Sequence, residues 1–121
     1  MQKIIHTKHK DIKPYITRDG SIIYELMHPL QHGNQNQSLA EAIVPAHTST
    51  FLHLHHKTEE LYHVIEGEGF MTLGSSKFPI KEGDTILIKP QTPHSLEAQN
   101  EDLKVLCCCS PAYSHEDTKL L

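Results

Sequence analysis

The chain has no tryptophan, few aromatic residues (6%) and three cysteines in 121 residues. No apolar run approaches the roughly 18–20 residues of a membrane-crossing helix, which argues against a helical membrane span. Positive charge is also scarce: 11 lysine and arginine residues face 15 acidic ones, for a formal net charge of −4. That balance gives no electrostatic footing for nucleic acid or for an anionic membrane surface. The opening stretch, MQKIIHTKHK, carries charges but lacks the apolar core of a secretory signal, so a cytoplasmic protein is expected. The cysteines are consecutive, Cys107, Cys108 and Cys109. Neighbours on a strand point to opposite faces, and the run offers neither good disulfide geometry nor the spaced pairs of a zinc site. They read as small apolar core residues in a reducing compartment, with one of them lining a pocket as the alternative.

What the chain has in excess is histidine, eleven in all. Five fall between His47 and His63. On a strand, residues i and i+2 share a face, so His53 and His55 aim two imidazoles at one point. Glu60 follows after a short polar link. Two histidines and a carboxylate from neighbouring strands suit a divalent metal with N and O ligands, and His94 is the best further ligand downstream. A helix would instead align His53, His56 and Glu60. The flanks argue against it: Thr48–Phe51 before and Tyr62–Ile65 after favour strand, and Gly67 and Gly69 cut the segment short. Strand alternation also sends Glu59, His56 and His63 outward and puts Tyr62 on the face of Glu60. His6, His9, His28 and His32 read as surface histidines without a role.

Taken in order, Thr17–Gly20 reads as a turn with an Asp-Gly signal, and Ser21–Met27 as a strand. The stretch from His28 to Ser38 carries Pro29 and Gly33 and reads as a loop. Leu39–Val44 mixes helix and strand preference; its shortness and Pro45 favour strand. After Gly69, short strands are expected at 70–73, 78–81, 85–88, 94–98 and 103–109, separated by turns. Two prolines stiffen the turn Lys89–Pro93. The tail from Ser110 is polar and reads as a short helix or flap. Many short strands with regular turns suggest an all-β sandwich or barrel in one domain.

At this point the pattern resembles the cupin superfamily. His53-x-His55, four residues, Glu60, six residues and Gly67 match its first motif. Gly83-Asp84, the apolar Thr85–Ile88, Pro90, Pro93 and His94 match the second. Lys89, Gln91 and Ala98 depart from that second motif at positions that are not ligands in the family. The C-terminal stretch also looks like that of small single-domain cupins labelled sugar-phosphate-isomerase-like, a label that rests on fold.

The resemblance implies a double-stranded β-helix, or jelly-roll barrel, over 1–121, with its motif core at about 39–109 and a tail at 110–121. It implies that His53, His55, Glu60 and His94 hold one divalent transition metal inside the barrel: Fe, Mn, Ni or Zn. It further implies a homodimer; physically, pairing would cover open strand edges. The expected function is a small metalloenzyme of dioxygenase, isomerase or lyase type, acting on a small oxygen-rich substrate. Tyr62 or His115 would move protons, His115 from a charged lid with Glu116 and Asp117. The alternative is a non-catalytic binding or sensor protein; a structural partner in a complex comes third.

Overall fold

The computed structural model describes residues 3–121. It is built from β-strands in two antiparallel sheets, the jelly-roll barrel expected. The strands are β1 (Tyr15–Ile16), β2 (Ile22–Met27), β3 (Ser38–Val44), β4 (His53–His55), β5 (Glu59–Glu66), β6 (Glu68–Leu73), β7 (Ser76–Lys81), β8 (Thr85–Ile88), β9 (His94–Ala98), β10 (Leu103–Ser110) and β11 (Thr118–Leu120). One sheet runs β1-β2-β3-β10-β5-β8, the other β11-β4-β9-β6-β7. The period-2 pattern explains the layering. Strand β10 alternates buried and half-buried residues along its length, and β3 and β5 behave alike. The inward rows meet between the sheets in a core containing Val64, Met71, Ile88, Leu96, Leu103 and Val105.

Leu39–Val44 is a strand, the state favoured by its shortness and its closing proline. Two sequence readings fail. Within the stretch read as loop, Pro29–His32 forms one helical turn, with proline at its start and Gly33 closing it in the left-handed conformation. His28, read as a surface residue, is buried. It caps that turn by accepting from the Leu30 amide, so its other nitrogen donates to the Tyr113 carbonyl. Capping needs a side-chain acceptor at this one position, which histidine spacing does not reveal.

The tail is not a helix. Asp117 accepts from the amides of Lys57 and Thr58, and β11 pairs with β4. The last strand is thereby laid beside His53 and His55. Among the described residues no helix is long and apolar enough to cross a membrane.

Candidate metal centre

His53 and His55 project inward from β4, and His94 opens the adjacent β9, directly opposite His53. One ring nitrogen from each of the three lies within 4.8 Å of the others. All three side chains are buried, His94 completely. Glu60 arrives from the other sheet, on β5, and its Oε1 lies 3.1 Å from His55 Nε2 and 3.6 Å from His94 Nε2. The four residues singled out in the sequence therefore converge. The turn before His94 bends at Gln91, whose φ is 68°. Glycine suits that left-handed conformation best. Here glutamine adopts it and is tied down, its amide N donating to the His55 carbonyl and its side chain to that of His56.

The hydrogen bonds on the far side of each ring settle which nitrogen faces the centre. His53 Nδ1 lies 2.8 Å from the Phe51 carbonyl, and His94 Nδ1 lies 2.9 Å from that of Thr92. A carbonyl only accepts, so both Nδ1 atoms carry hydrogen. His55 Nδ1 lies 2.9 Å from Thr118 Oγ1, and that hydroxyl spends its own hydrogen on the Ser114 carbonyl. His55 Nδ1 is therefore a donor too. In the neutral rings, all three Nε2 lone pairs turn inward, those of His55 and His94 towards the Glu60 carboxylate and that of His53 towards the Asp19 carboxylate. Acceptors this close need a proton or a cation between them. His94 Nε2 is buried with no hydrogen-bond partner among the described residues. The donor set thus fits a divalent metal ion.

Electrostatics agree with a cation-seeking centre. Burial pushes the Glu60 carboxyl up, but the adjoining His55 and His94 imidazoles outweigh it and hold it down at about 2. Burial, helped by the nearby charge of His94, lowers His53 below the ordinary histidine range. A low proton affinity leaves nitrogen free for metal.

The sequence did not point to the partners around this cluster. Asp19 Oδ2 lies 3.7 Å from His53 Nε2, while its Oδ1 accepts from the Ser21 amide and hydroxyl. Its Asp-Gly step reads as a turn signal and is one, yet the side chain faces the cavity. Cys109 pairs across the sheet with Glu60, and its thiol donates to Glu60 Oε2 at 3.3 Å. The free Oε1 is left for the centre. Cys107 and Cys109 line the cavity as well as packing in the core, so the apolar reading and the pocket alternative both hold. Burial pushes both thiols well up, so they stay protonated.

Tyr62 lines the same cavity, its ring edge-on to His94 at 5.8 Å. Burial, then the charge of Glu60, pushes its hydroxyl well up. His115 lies outside the cavity, exposed, with Nδ1 2.9 Å from the Tyr113 hydroxyl. It is Tyr113 that lines the cavity. The cavity holds about 590 Å³ of atom-free space out to its mouth, of which the centres of water molecules reach about 50 Å³; it suits small ligands.

A family model described as "Cupin domain" matches residues 40–109. The chain belongs to the cupin family. An uncharacterized protein of Methanocaldococcus jannaschii, MJ1618, is 57% identical over 120 residues, covering 98% of this chain and 96% of that one. A predicted oxalate decarboxylase of Thermotoga maritima superposes with a TM-score of 0.75 at 25% identity, over 86% of this chain and 96% of that one. The polyketide cyclase RemF of Streptomyces resistomycificus gives 0.75 at 23%, over 97% and 89%.

The orienting role of Thr118 leads to a prediction. Thr118→Val keeps the shape but removes the acceptor for His55 Nδ1–H. Metal affinity should fall by about 10–100-fold, the usual scale for a lost outer partner, with stoichiometry unchanged in a competition titration. Affinity within twofold of wild type would mean that Thr118 does not set the His55 tautomer.

Proposed function

We propose that this cupin is a small metalloenzyme binding one divalent transition metal ion, Fe, Mn, Ni or Zn, through His53, His55, His94 and Glu60. The single observation that carries the reading is the inward convergence of three histidine nitrogens within 4.8 Å of one another, beside the Glu60 carboxylate. Such an ion supplies Lewis-acid polarisation of a substrate oxygen, or acidification of a water. The chain's own residues do the rest. Burial keeps the Tyr62 phenol protonated, so near neutral pH it can donate a proton but not accept one. His115 acts only through the Tyr113 hydroxyl, as a positioning residue.

The substrate class is a small oxygen-bearing molecule, and the chemistry is of dioxygenase, isomerase or lyase type. The similar proteins named as a predicted oxalate decarboxylase and a polyketide cyclase support chemistry on small molecules in this fold. The reading takes 1–121 as one domain in a reducing, cytoplasmic setting, consistent with three free cysteines. It includes a homodimer. A row of Leu39, Cys108, Leu61 and Leu87 crosses the outer face of the six-stranded sheet, with Leu61 42% and Leu87 45% exposed. The alternative is a non-catalytic binding protein: Tyr62, Cys107 and Cys109 are all held protonated, so none of the three serves as a proton acceptor.

The test is elemental analysis of untagged protein prepared without chelators, with light scattering on the same sample. About one equivalent of metal and a two-chain mass are expected. Iron then directs the assay to O₂ consumption, and Mn, Ni or Zn to lyase and isomerase screens. No metal, and no uptake of added Mn, Fe, Ni or Zn, sinks the metalloenzyme; a one-chain mass sinks the dimer. A ligand retained chemically intact, with no turnover, selects the binding protein.

A further inference from the structure

The cavity has a second polar end. Along one rung of the six-stranded sheet the inward residues are Tyr62, Cys107, Ala40 and Glu25, each paired with the next. The neighbouring rung runs Glu60, Cys109, Ser38. Between the outer members stand only small side chains, which leave the floor of the cavity open. Three strand spacings separate the backbones of Tyr62 and Glu25, roughly 14 Å at about 4.8 Å each. The histidine cluster and Glu60 therefore close one side of the cavity, and Glu25 stands on the other.

Glu25 is 5% exposed and lines the cavity. Its Oε2 accepts from the Tyr15 hydroxyl at 3.3 Å, while Oε1 is buried with no hydrogen-bond partner among the described residues. The neighbouring His28 has both ring nitrogens engaged elsewhere. Burial pushes the Glu25 carboxyl up, and His28 and Tyr15 offset this only in part. A buried carboxylate oxygen without a donor costs free energy that a bound ligand can recover.

The charge of the lining says which kind of ligand. Asp19, Glu25 and Glu60 all line the cavity, and among the described residues no lysine or arginine does. A divalent ion would leave the ionised set with an excess of negative charge. A dianion such as oxalate or a phosphate ester adds to that excess; an ammonium group cancels it.

We propose that Glu25, oriented by Tyr15, recognises the amine end of a small amino-bearing substrate whose oxygen end lies at the histidine cluster. This rests on the metal-centre reading for the oxygen end alone. The test uses the full chain loaded with Zn²⁺ and calorimetric titration of 3-aminopropanoate and 4-aminobutanoate against propanoate, butanoate and succinate. An aminoalkanoate should bind at least about tenfold tighter than the plain acid of the same length, the scale of one charge-assisted hydrogen bond. Succinate should bind no better than the plain acids. In Glu25→Gln, with zinc content and circular dichroism unchanged, the preference should shrink to within about twofold. Tyr15→Phe, which keeps the charge and removes only its orienting donor, should weaken the preference without abolishing it.

A parallel titration of metal-free protein with 1-propylamine and 1-propanol reads Glu25 alone. Zinc that fails to load sinks the metal centre and leaves this arm to decide. Propylamine binding no tighter than propanol, aminoalkanoates no tighter than the plain acids, or a preference that survives in Glu25→Gln, overturns the assignment.

Discussion

Metal-loaded wild-type protein should melt roughly 10 °C above the metal-free form, and the His53→Ala, His94→Ala double variant should show no such gain. The argument starts from where the ligands come from. His53, His55 and His94 stand on the five-stranded sheet, and Glu60 on the six-stranded one. An ion held by all four bridges the two layers of the barrel. The unfolded chain spreads the same residues over forty-odd positions and holds an ion poorly, so binding favours the folded state. At a hundredfold excess of free metal over its dissociation constant the gain is about 2.7 kcal/mol. For a chain of this size that is roughly 3–5 °C per kcal/mol.

Without metal, the double variant should lie close to wild type. Two inward ring nitrogens that need a proton or a cation are gone, and the remaining His55–Glu60 pair can share a proton. Scanning calorimetry with and without added metal reads all four states. Equal melting temperatures for loaded and stripped wild type, or the same gain in the variant, would remove the ion from the barrel's stability.

Gly69→Ala should cost about 3 kcal/mol or more, the upper end for forced overpacking. Gly69 sits on β6 opposite Ala98 on β9. A β-carbon there would run into the backbone carbonyl oxygen of Glu97, and no flexible side chain is available to move aside. Relief would require β6 and β9 to part, in the same ladder that sets Leu73 opposite His94. The variant should therefore lose metal affinity as well as stability. Gly74→Ala is the control. A β-carbon there meets nothing within 4 Å, but φ is +61°. It should cost only about 1 kcal/mol, the penalty for leaving glycine at a left-handed position. Urea unfolding of both variants separates the effects. A Gly69→Ala protein within 1 kcal/mol of wild type would show that the strands yield more easily than their pairing implies.

The parts legible in the sequence are those whose information is local. His53 and His55 declare a shared face through the two-residue period, and Gly83 to His94 declares a strand, a stiff turn and a ligand in sequence. Each works over a few residues, within reach of propensity and alternation. Glu25, Asp19 and Thr118 were not legible as site residues, and nothing singled Cys109 out from its two neighbours. Three of the four enter the cavity through a long-range register: Glu25 through Ala40 and Cys107, Cys109 through its pairing with Glu60, Thr118 through its pairing with His55. Asp19 enters from a turn, where its backbone carbonyl accepts from the distant Phe51 amide. A shift of one residue in any of these ladders would turn the side chain to the other face, and nothing local fixes the register. The tail illustrates the limit. Its polar composition reads as a helix or flap, yet the backbone of Asp117 and Thr118 is claimed by β4.

The bond from Thr118 to His55 also has a consequence in time. The hydroxyl that fixes the ring of residue 55 is made sixty-three residues after it. A chain emerging N-terminus first can pair β2 with β3 and present His53, His55 and Glu60 well before β11 exists. For that interval the imidazole of His55 lacks its partner and can carry its proton on either nitrogen. Completion of the centre is therefore a late step in the chain's synthesis, and a half-made barrel would meet metal ions with its ligands present but not yet aimed.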